Sequence, residues 1–382
     1  MKLHTPFLSI PFRPFFFLAA IIAMLNPSFW ILSLSGSLVL STSISPLFWH
    51  GHEMVFGFTE ALLGGFLLTA SANWTQTEPY RGGPLLLLAT VWVLERASFF
   101  LPLSSNALLF AGSTFFPLLI GYLFFTVRNH PKQRNVFIPI VTALFLAKLA
   151  HLYGHLDDRF DLESSGLQSG VAIIRMLVFI IAGRVLPFFT RKRLDITIEV
   201  KPFLTRTAVL SLALLCLPQP EGTPLWLTEL ILFIALVANA ARNYALFDKR
   251  TLRVPMLLVL HVGINLLLLG IALELLGGHT PSLLAHQAVL HTTLAGGLGV
   301  VAIGIMTRVS LGHTGRVIQA DSWTIVSYLS IFSGALLRVL LPVVYPNQYL
   351  NGLYLALALW AFGFFVFLIG YFRIWTSKRA DA

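Results

Sequence analysis

Cysteine and charged residues are scarce in this sequence, and each scarcity excludes a class of protein. Cys216 is the only cysteine among 382 residues, which excludes an internal disulfide, a cysteine-rich zinc site and a Cys-x-x-Cys-His haem attachment. Charged residues make up 11% of the chain, against about 25% in an average soluble domain. A cleavable signal peptide is not expected, because the first apolar run, 15–40, lacks a small-residue cleavage pattern.

Long hydrophobic runs are abundant instead. The chain is 57% hydrophobic and contains 32 Phe, and runs of roughly 18 to 25 apolar residues are long enough to cross the ~30 Å hydrocarbon core of a bilayer. The sequence therefore predicts an all-α, polytopic transmembrane helix bundle, organised as a single transmembrane domain over residues 1–382. About twelve spans are predicted, at residues 15–38, 50–72, 84–101, 106–127, 136–155, 168–188, 203–217, 224–243, 254–275, 284–306, 323–342 and 349–373.

Basic residues outnumber acidic ones by 26 to 16, which gives a formal net charge of +10. They are dispersed between the apolar spans, with no basic domain or aromatic platform, so nucleic acid is not expected as a partner. Most of the basic residues lie at the termini and in the even-numbered connections, whereas the odd-numbered connections contain only Arg159, within the acidic segment 157–163. By the positive-inside rule, both termini are predicted to be cytoplasmic and the acidic segment to lie outside.

The most unusual stretch is residues 49–75, a hydrophobic span that carries His50, His52, Glu53 and Glu60. Ionisable groups in hydrocarbon are costly unless they are paired or bound, so this span predicts a cofactor site or a proton path. His52 and Glu60 share one face of a regular helix, while His50 points elsewhere unless the first turn is irregular. The alternative is a tightly packed structural helix in which Glu60 pairs with an arginine.

Further ionisable residues are predicted to lie on the outer side of the membrane. Four basic residues fall within spans, each in the outer half of its helix: Arg96, Lys148, Arg175 and Arg338. Seven histidines map to the same side: His50, His52, His151, His155, His279, His286 and His291. Because the seven come from at least three separate helices, they could converge on one site.

Spacing refines the set of candidate ligands. Lys148, His151 and His155 follow an i, i+3, i+7 pattern, which places neighbours on one helical stripe about 5–6 Å apart at Cβ. The two histidines have ligand spacing, although His155 could cap the helix and His151 could bond a neighbour. His286 and His291 are five residues apart, roughly 140° around a helix, so they need not bind the same atom.

The residue types favour a metal centre. Without thiolates, several imidazoles in low-dielectric surroundings suit haem iron or copper best. The predicted ligands are His52, His151, His155, His286 and His291, with His50 and His261 as second choices; His261 could equally form a structural hydrogen bond with Asn265 on the same helix. Haem propionates would pair with Arg96, Arg175, Arg338 and Lys148. Glu60 would relay protons in any reduction.

Several segments, in order along the chain, resemble those of the NnrS family: FRPFF (12–16), WHGHEM (49–54), FGF (56–58), GFLLTA (65–70), NWT (73–75), GRVLPFFT (183–190), MTR (306–308) and GHTGR (312–316). The resemblance extends over nearly the whole chain. It implies a multi-pass protein of the bacterial inner membrane that contains haem and copper and is linked to nitric oxide metabolism and nitrosative stress. Gly51 stands where the family often has alanine.

The leading hypothesis is a haem- and copper-binding membrane protein whose partners are nitric oxide and the lipid bilayer. Nitric oxide is small, neutral and soluble in hydrocarbon, so it could reach such a site without a polar tunnel. Whether it is turned over by haem-dependent redox chemistry or only bound stays open, as does the electron donor. Two alternatives remain: a proton-coupled secondary transporter, and an accessory membrane partner of a nitrogen-oxide respiratory enzyme.

Overall fold

The computed structural model describes residues 5–38, 44–218, 222–277 and 282–381. His279, one of the predicted outer histidines, lies outside these ranges. Within them the protein is helical and contains no β-strand. The main helices are α1 Phe12–Leu34, α2 Pro46–Thr75, α3 Gly83–Ser98, α4 Ser105–Val127, α5 Pro131–Leu156, α6 Phe160–Leu194, α7 Pro202–Leu215, α8 Leu225–Leu246, α9 Pro255–Gly277, α10 Leu283–Gly312, α11 Ser322–Val344 and α12 Tyr349–Thr376.

The predicted all-α membrane bundle is confirmed. Each of the twelve predicted spans corresponds to one helix, and in the described ranges ten helices are long and apolar enough to cross a membrane. The other two are α3, with 16 residues, and α7, with 14, both shorter than the ~20 residues that span the core untilted. Large side chains such as Phe124 and Phe125 are exposed on the helix surface, as expected for lipid contact. The cytoplasmic placement of the termini stays a prediction.

Helix boundaries follow from local sequence. Pro46 occupies the first turn of α2, where its missing N–H costs nothing, and the Ser45 hydroxyl accepts a hydrogen bond from the Phe48 N–H. Asp321 caps α11 in the same way, by accepting from the Thr324 N–H at 2.9 Å. At its other end α2 stops at Gln76, which adopts a left-handed conformation with φ 54°.

Two helices contain a π-helical segment, and each segment begins directly after a histidine. In α2 the segment is Glu53–Gly57, following His52, and in α10 it is Thr292–Gly299, following His291. A π segment adds a residue to the helical turn. The rotation around the helix axis from His52 to Glu60 therefore differs from that in a regular α-helix. Such segments occur frequently at functional sites.

The described helices form two compact units. The first contains α1–α5, the start of α6 and the C-terminal ends of α10 and α12; there the Phe12 N–H at the start of α1 donates to the Thr69 hydroxyl of α2 at 3.1 Å. The second contains the remainder of α6–α12, where the Asn239 amide of α8 donates to the Ala208 carbonyl of α7 at 3.1 Å. Hydrogen bonds between helices, such as these two, stabilise the packing of membrane helices. The single transmembrane domain stays a prediction.

Within the first unit, Arg13 joins the start of α1 to the end of the chain. Its side chain is only 1% exposed, and Nη1 donates to the carbonyl oxygens of Pro6, Trp375 and Ser377, each at 2.8 Å. Trp375 is fixed further by its indole N–H, which donates to the Ser310 hydroxyl at 2.9 Å. Arg13 therefore supplies a charged donor to carbonyls at the C-terminal end of α12, including that of Trp375, whose carbonyl lies in the last turn of the helix.

Arg13→Met is expected to destabilise the protein by about 3 kcal/mol or more, because three carbonyls lose a charged donor. It should also free the segment after Trp375, so that carboxypeptidase removes the last residues of the purified protein faster than from wild type. Arg81→Met, which removes an exposed arginine with only a 3.7 Å contact to Glu78, is the control. Equal digestion rates for the two variants would contradict this role of Arg13.

Candidate functional site

In the first unit, α2 and α5 bring three of the predicted ligands together. The ring of Phe48 stacks on His151 with centroids 4.4 Å apart and on His155 at 3.7 Å. His52 lies against His151 at 5.6 Å between centroids, with nearly parallel rings. The histidine group, defined as His52, His151 and His155, therefore forms from residues nearly a hundred positions apart in the sequence.

The ring nitrogens of this group differ in their partners. His151 Nδ1 lies 2.9 Å from the Glu163 carbonyl oxygen; because a carbonyl only accepts, Nδ1 carries the proton and Nε2 presents its lone pair. Among the described residues, neither His151 Nε2 nor either nitrogen of His52 has a hydrogen-bond partner, although all three atoms are buried. Leaving such groups unpaired costs about 1–3 kcal/mol each, so these nitrogens are suited to bind a ligand.

The remaining histidines of this region have structural partners. His155 Nδ1 lies 3.0 Å from the Glu163 carboxylate, so Glu163 orients both histidines of α5 through its carbonyl and its side chain. His50 Nδ1 lies 2.7 Å from the Asn26 Oδ1 of α1, and the His50 ring stacks on Trp30 at 4.6 Å. His50 is thus held by α1 and is separate from the histidine group.

A second feature of the first unit is the paired-charge cluster: Glu53, Glu60, Glu95, Arg96 and Lys148. Arg96 lies 2.7 Å from Glu60, 2.7 Å from Glu95 and 2.9 Å from Glu53, the last in ion-pair contact without hydrogen-bond alignment. Lys148 pairs with Glu60 at 2.6 Å and also contacts Glu95. All five residues are buried. Three carboxylates face two cations, which leaves one formal negative charge in excess when all are ionised.

Backbone features keep this cluster in place. Glu95 Oε2, the oxygen that does not contact Arg96 or Lys148, accepts a hydrogen bond from the Phe115 N–H of α4 at 2.7 Å. The Trp92 indole donates to the Gly57 carbonyl at 3.0 Å, and the Arg96 guanidinium lies 5.0 Å from the Trp92 ring centroid. A Cβ at Gly57 would meet the Glu53 carboxylate, so only glycine leaves room for the Glu53–Arg96 contact.

Glu95 was not among the sequence candidates, although the rule that flagged Glu60 applies to it as well. It is a carboxylate within a predicted span and stands directly before Arg96. Glu274 of α9 is a similar case, since it pairs with Arg175 at 2.5 Å in the second unit. The sequence alternative of a Glu60–arginine pair is what the structure contains, with Lys148 as an additional partner.

The other predicted ligands lie in the second unit and do not form a group there. His261 is buried, and neither of its ring nitrogens has a partner among the described residues; the Asn265 amide donates to the His261 carbonyl at 2.9 Å, not to its ring. His286 is exposed. His291 Nδ1 lies 2.8 Å from the Gln287 carbonyl one turn earlier. Arg338 of α11 is half-buried beside Tyr349.

The number of candidate ligand residues that lie close together limits which kind of metal centre these residues could form. Across the described ranges, three or more His, Cys, Asp or Glu residues never come together in a way that could hold a metal ion. Haem iron can be held by one or two imidazoles, and His52 and His151 are neighbouring buried imidazoles with ring nitrogens that lack a hydrogen-bond partner among the described residues.

Comparison with protein families gives a match over nearly the whole chain. No curated protein matches the chain. The family model described as NnrS protein matches residues 6–379, a range that includes the histidine group, the paired-charge cluster and all twelve helices. The chain therefore belongs to the NnrS family, and it is a multi-pass membrane protein related to nitric oxide.

Proposed function

We propose that this protein binds haem through its histidine group and captures nitric oxide at the haem iron. The observation that carries the proposal is the pair of buried, neighbouring imidazoles, His52 and His151, whose ring nitrogens lack partners among the described residues. Haem would supply a ferrous iron that binds nitric oxide. A buried site suits this substrate, because nitric oxide is neutral and dissolves in hydrocarbon.

The surroundings of His151 support a role as a ligand of haem iron. The Glu163 carbonyl fixes the tautomer of His151 that leaves Nε2 unprotonated, which is the form that binds a metal. Phe48, stacked on His151, restricts the rotation of that ring. His52 is the second candidate ligand, and His155 the third. The chain orients the imidazoles and shields the site from water. Neither role requires another metal-binding side chain.

Three of the four basic residues that the sequence predicts as partners of haem propionates already pair with carboxylates. The charges of Arg96 and Lys148 are already compensated by the carboxylates of the paired-charge cluster, and that of Arg175 by Glu274. These three residues therefore do not fit a second anionic partner without losing the first. Arg338 has no ion pair with any carboxylate in the described ranges, but it belongs to the second unit and the histidine group to the first, so we do not assign it to a haem bound by the histidine group. We propose no residues for copper.

Reduction of nitric oxide, in contrast to capture, would need protons and electrons. Glu60 is our candidate for proton transfer: its Oε1 lies 2.6 Å from Lys148 Nζ and its Oε2 2.7 Å from Arg96 Nη1. A proton taken up by Glu60 would neutralise its charge and weaken these two contacts, so proton transfer would be coupled to a rearrangement of the paired-charge cluster. We place the protein in the bacterial inner membrane, where nitric oxide reaches it from either side.

The test is optical and electron paramagnetic resonance spectroscopy of the purified protein, with and without nitric oxide. We expect a Soret band in wild type that shifts with nitric oxide. His151→Gln can still donate to the Glu163 carbonyl but cannot ligate iron as imidazole does, so haem content should fall about tenfold or more.

His130→Gln is the matched control, because His130 lies before α5 and outside the histidine group; its spectrum should equal that of wild type. A wild-type protein without a Soret band would refute the proposal. Full haem content in the His52→Gln, His151→Gln double variant would show that the site is elsewhere.

A proton-coupled transporter is the second candidate, and the paired-charge cluster favours it. Buried carboxylates in excess of cations are typical of sites that exchange protons across membranes. Solute uptake into proteoliposomes that follows a proton gradient, by protein that contains no haem, would select this function over nitric oxide capture.

A further inference from the structure

Arg308, near the end of α10, is a buried cation whose donors are largely unused. Its side chain belongs to the second unit and is 3% exposed. Nη2 donates to the Phe189 carbonyl of α6 at 3.3 Å, and the guanidinium carbon lies 4.0 Å from the centroid of the Phe189 ring. Nε and Nη1 are buried without a hydrogen-bond partner among the described residues.

The charge of Arg308 is not compensated by the protein. None of the ion pairs found in the described ranges includes it, in contrast to Arg175 and Arg96. Arg193 is close enough to add like-charge repulsion. A buried, unpaired guanidinium costs several kcal/mol, so a ligand that brings negative charge would be bound strongly.

Neighbouring groups indicate which kind of anion fits. The Thr190 hydroxyl, in the residue after Phe189, is completely buried and also lacks a partner. The Thr307 hydroxyl, in contrast, is already engaged with the Tyr328 hydroxyl at 2.5 Å. The donors without a partner among the described residues are therefore Arg308 Nε and Nη1 and the Thr190 hydroxyl, and an anion with several oxygens can accept from more than one donor.

We propose that Arg308 and Thr190 form a binding site for a phosphate group. Phe189 covers one face of the guanidinium and leaves its N–H edge for the phosphate oxygens. The phosphate can be free inorganic phosphate or the headgroup of an anionic phospholipid, since both present the same oxygens. The segments GRVLPFFT and MTR thereby acquire a common role, because Phe189, Thr190 and Arg308 belong to them.

The experiment measures the thermal unfolding midpoint of the purified full-length protein in detergent, at constant ionic strength. One series adds inorganic phosphate in place of chloride; the other adds phosphatidylglycerol or phosphatidylcholine to the micelles. We expect the midpoint of wild type to rise with phosphate or with phosphatidylglycerol, because a ligand that binds only the folded state stabilises it. Phosphatidylcholine is the reference for lipid without net charge.

Three variants distinguish the outcomes. Arg308→Met should fold at least as well as wild type without ligand, since it removes an uncompensated buried charge, and should lose the midpoint shift. Thr190→Val should need about tenfold more phosphate or phosphatidylglycerol for the same shift. Arg373→Met, which removes an exposed arginine of α12, should respond as wild type does.

A shift with phosphatidylglycerol alone identifies the lipid headgroup, and a shift with both ligands identifies the phosphate group itself. The proposal is overturned if neither ligand shifts the wild-type midpoint, or if Arg308→Met keeps the shift. If Arg308→Met does not fold, the Thr190→Val comparison decides: an unchanged phosphate or phosphatidylglycerol requirement overturns the proposal.

Discussion

Lys148→Met is expected to lower the free energy of unfolding by about 3–5 kcal/mol, which is the cost of leaving buried charges without their partner. Lys148 is completely buried and pairs with both Glu60 and Glu95. Its removal leaves three carboxylates with Arg96 as the only cation of the paired-charge cluster. We expect the variant to accumulate poorly in membranes and to unfold at a much lower temperature once purified in detergent.

The double variant Lys148→Met, Glu60→Gln separates charge from packing. It restores the original formal excess of one negative charge, so it should recover part of the lost stability, and the two substitutions should be non-additive. Lys132→Met, at an exposed position in the first turn of the same helix, should be close to neutral. If Lys148→Met is as stable as Lys132→Met, the paired-charge cluster does not contribute as described.

Gly166→Ala is expected to have the second large effect, because a Cβ at this position would meet the backbone of α5. The nearest atoms are the His151 N and, at 2.8 Å, the Ala147 carbonyl oxygen and the His151 Cα. Backbone cannot move aside as a side chain can, so α5 and α6 must separate there. We expect a loss of about 3 kcal/mol, together with a weaker bond between His151 and the Glu163 carbonyl.

Gly121→Ala is the matched control for this substitution. Gly121 lies within α4, and a Cβ there would have no atom within 4 Å. Alanine has the higher helix propensity, so this variant should be stabilised by up to about 1 kcal/mol. Thermal unfolding of both purified variants should therefore show shifts of opposite sign. Shifts of the same sign and size would contradict the close approach of α5 and α6 at His151.

The Gly166→Ala and Lys148→Met substitutions also test the proposed function. The Gly166 contact holds the element that fixes the His151 tautomer through Glu163. If His151 ligates haem, Gly166→Ala should reduce haem content in the protein that still folds, whereas Gly121→Ala should not. Lys148→Met changes the charge near the histidine group without altering a ligand, so any remaining folded protein should keep its Soret band.

The helices were predictable because the signal for a membrane span is local. A window of apolar residues must satisfy its backbone internally, whatever lies around it, and so each predicted span corresponds to one of α1–α12. The stripe of Lys148, His151 and His155 was predictable for the same reason, since helical spacing decides which side chains of one helix are neighbours. The π segment in α2 gave no such signal, because it changes the helical repeat without changing the hydropathy of the span.

Partners between helices could not be read from the sequence. His50 and His52 look equivalent in WHGHEM, yet His50 contacts Asn26 of α1, whereas the buried ring nitrogens of His52 have no hydrogen-bond partner among the described residues. The sequence predicted that Arg96 binds a haem propionate, yet in the structure it contacts three carboxylates. One of these belongs to the residue directly before it in the chain. Such contacts depend on which helices pack side by side, and neither hydropathy nor spacing encodes that choice.

By itself, the sequence determined that this chain is a multi-pass helical membrane protein of the NnrS family with ionisable residues at membrane depth, because hydrophobicity and residue identity are properties of single segments. Only the tertiary structure decided which of those residues neutralise each other and which, within the described ranges, have buried ring nitrogens without a hydrogen-bond partner. The physical reason is that a buried charge or imidazole takes its state from atoms within a few ångströms, and here these atoms belong to helices far apart in the sequence.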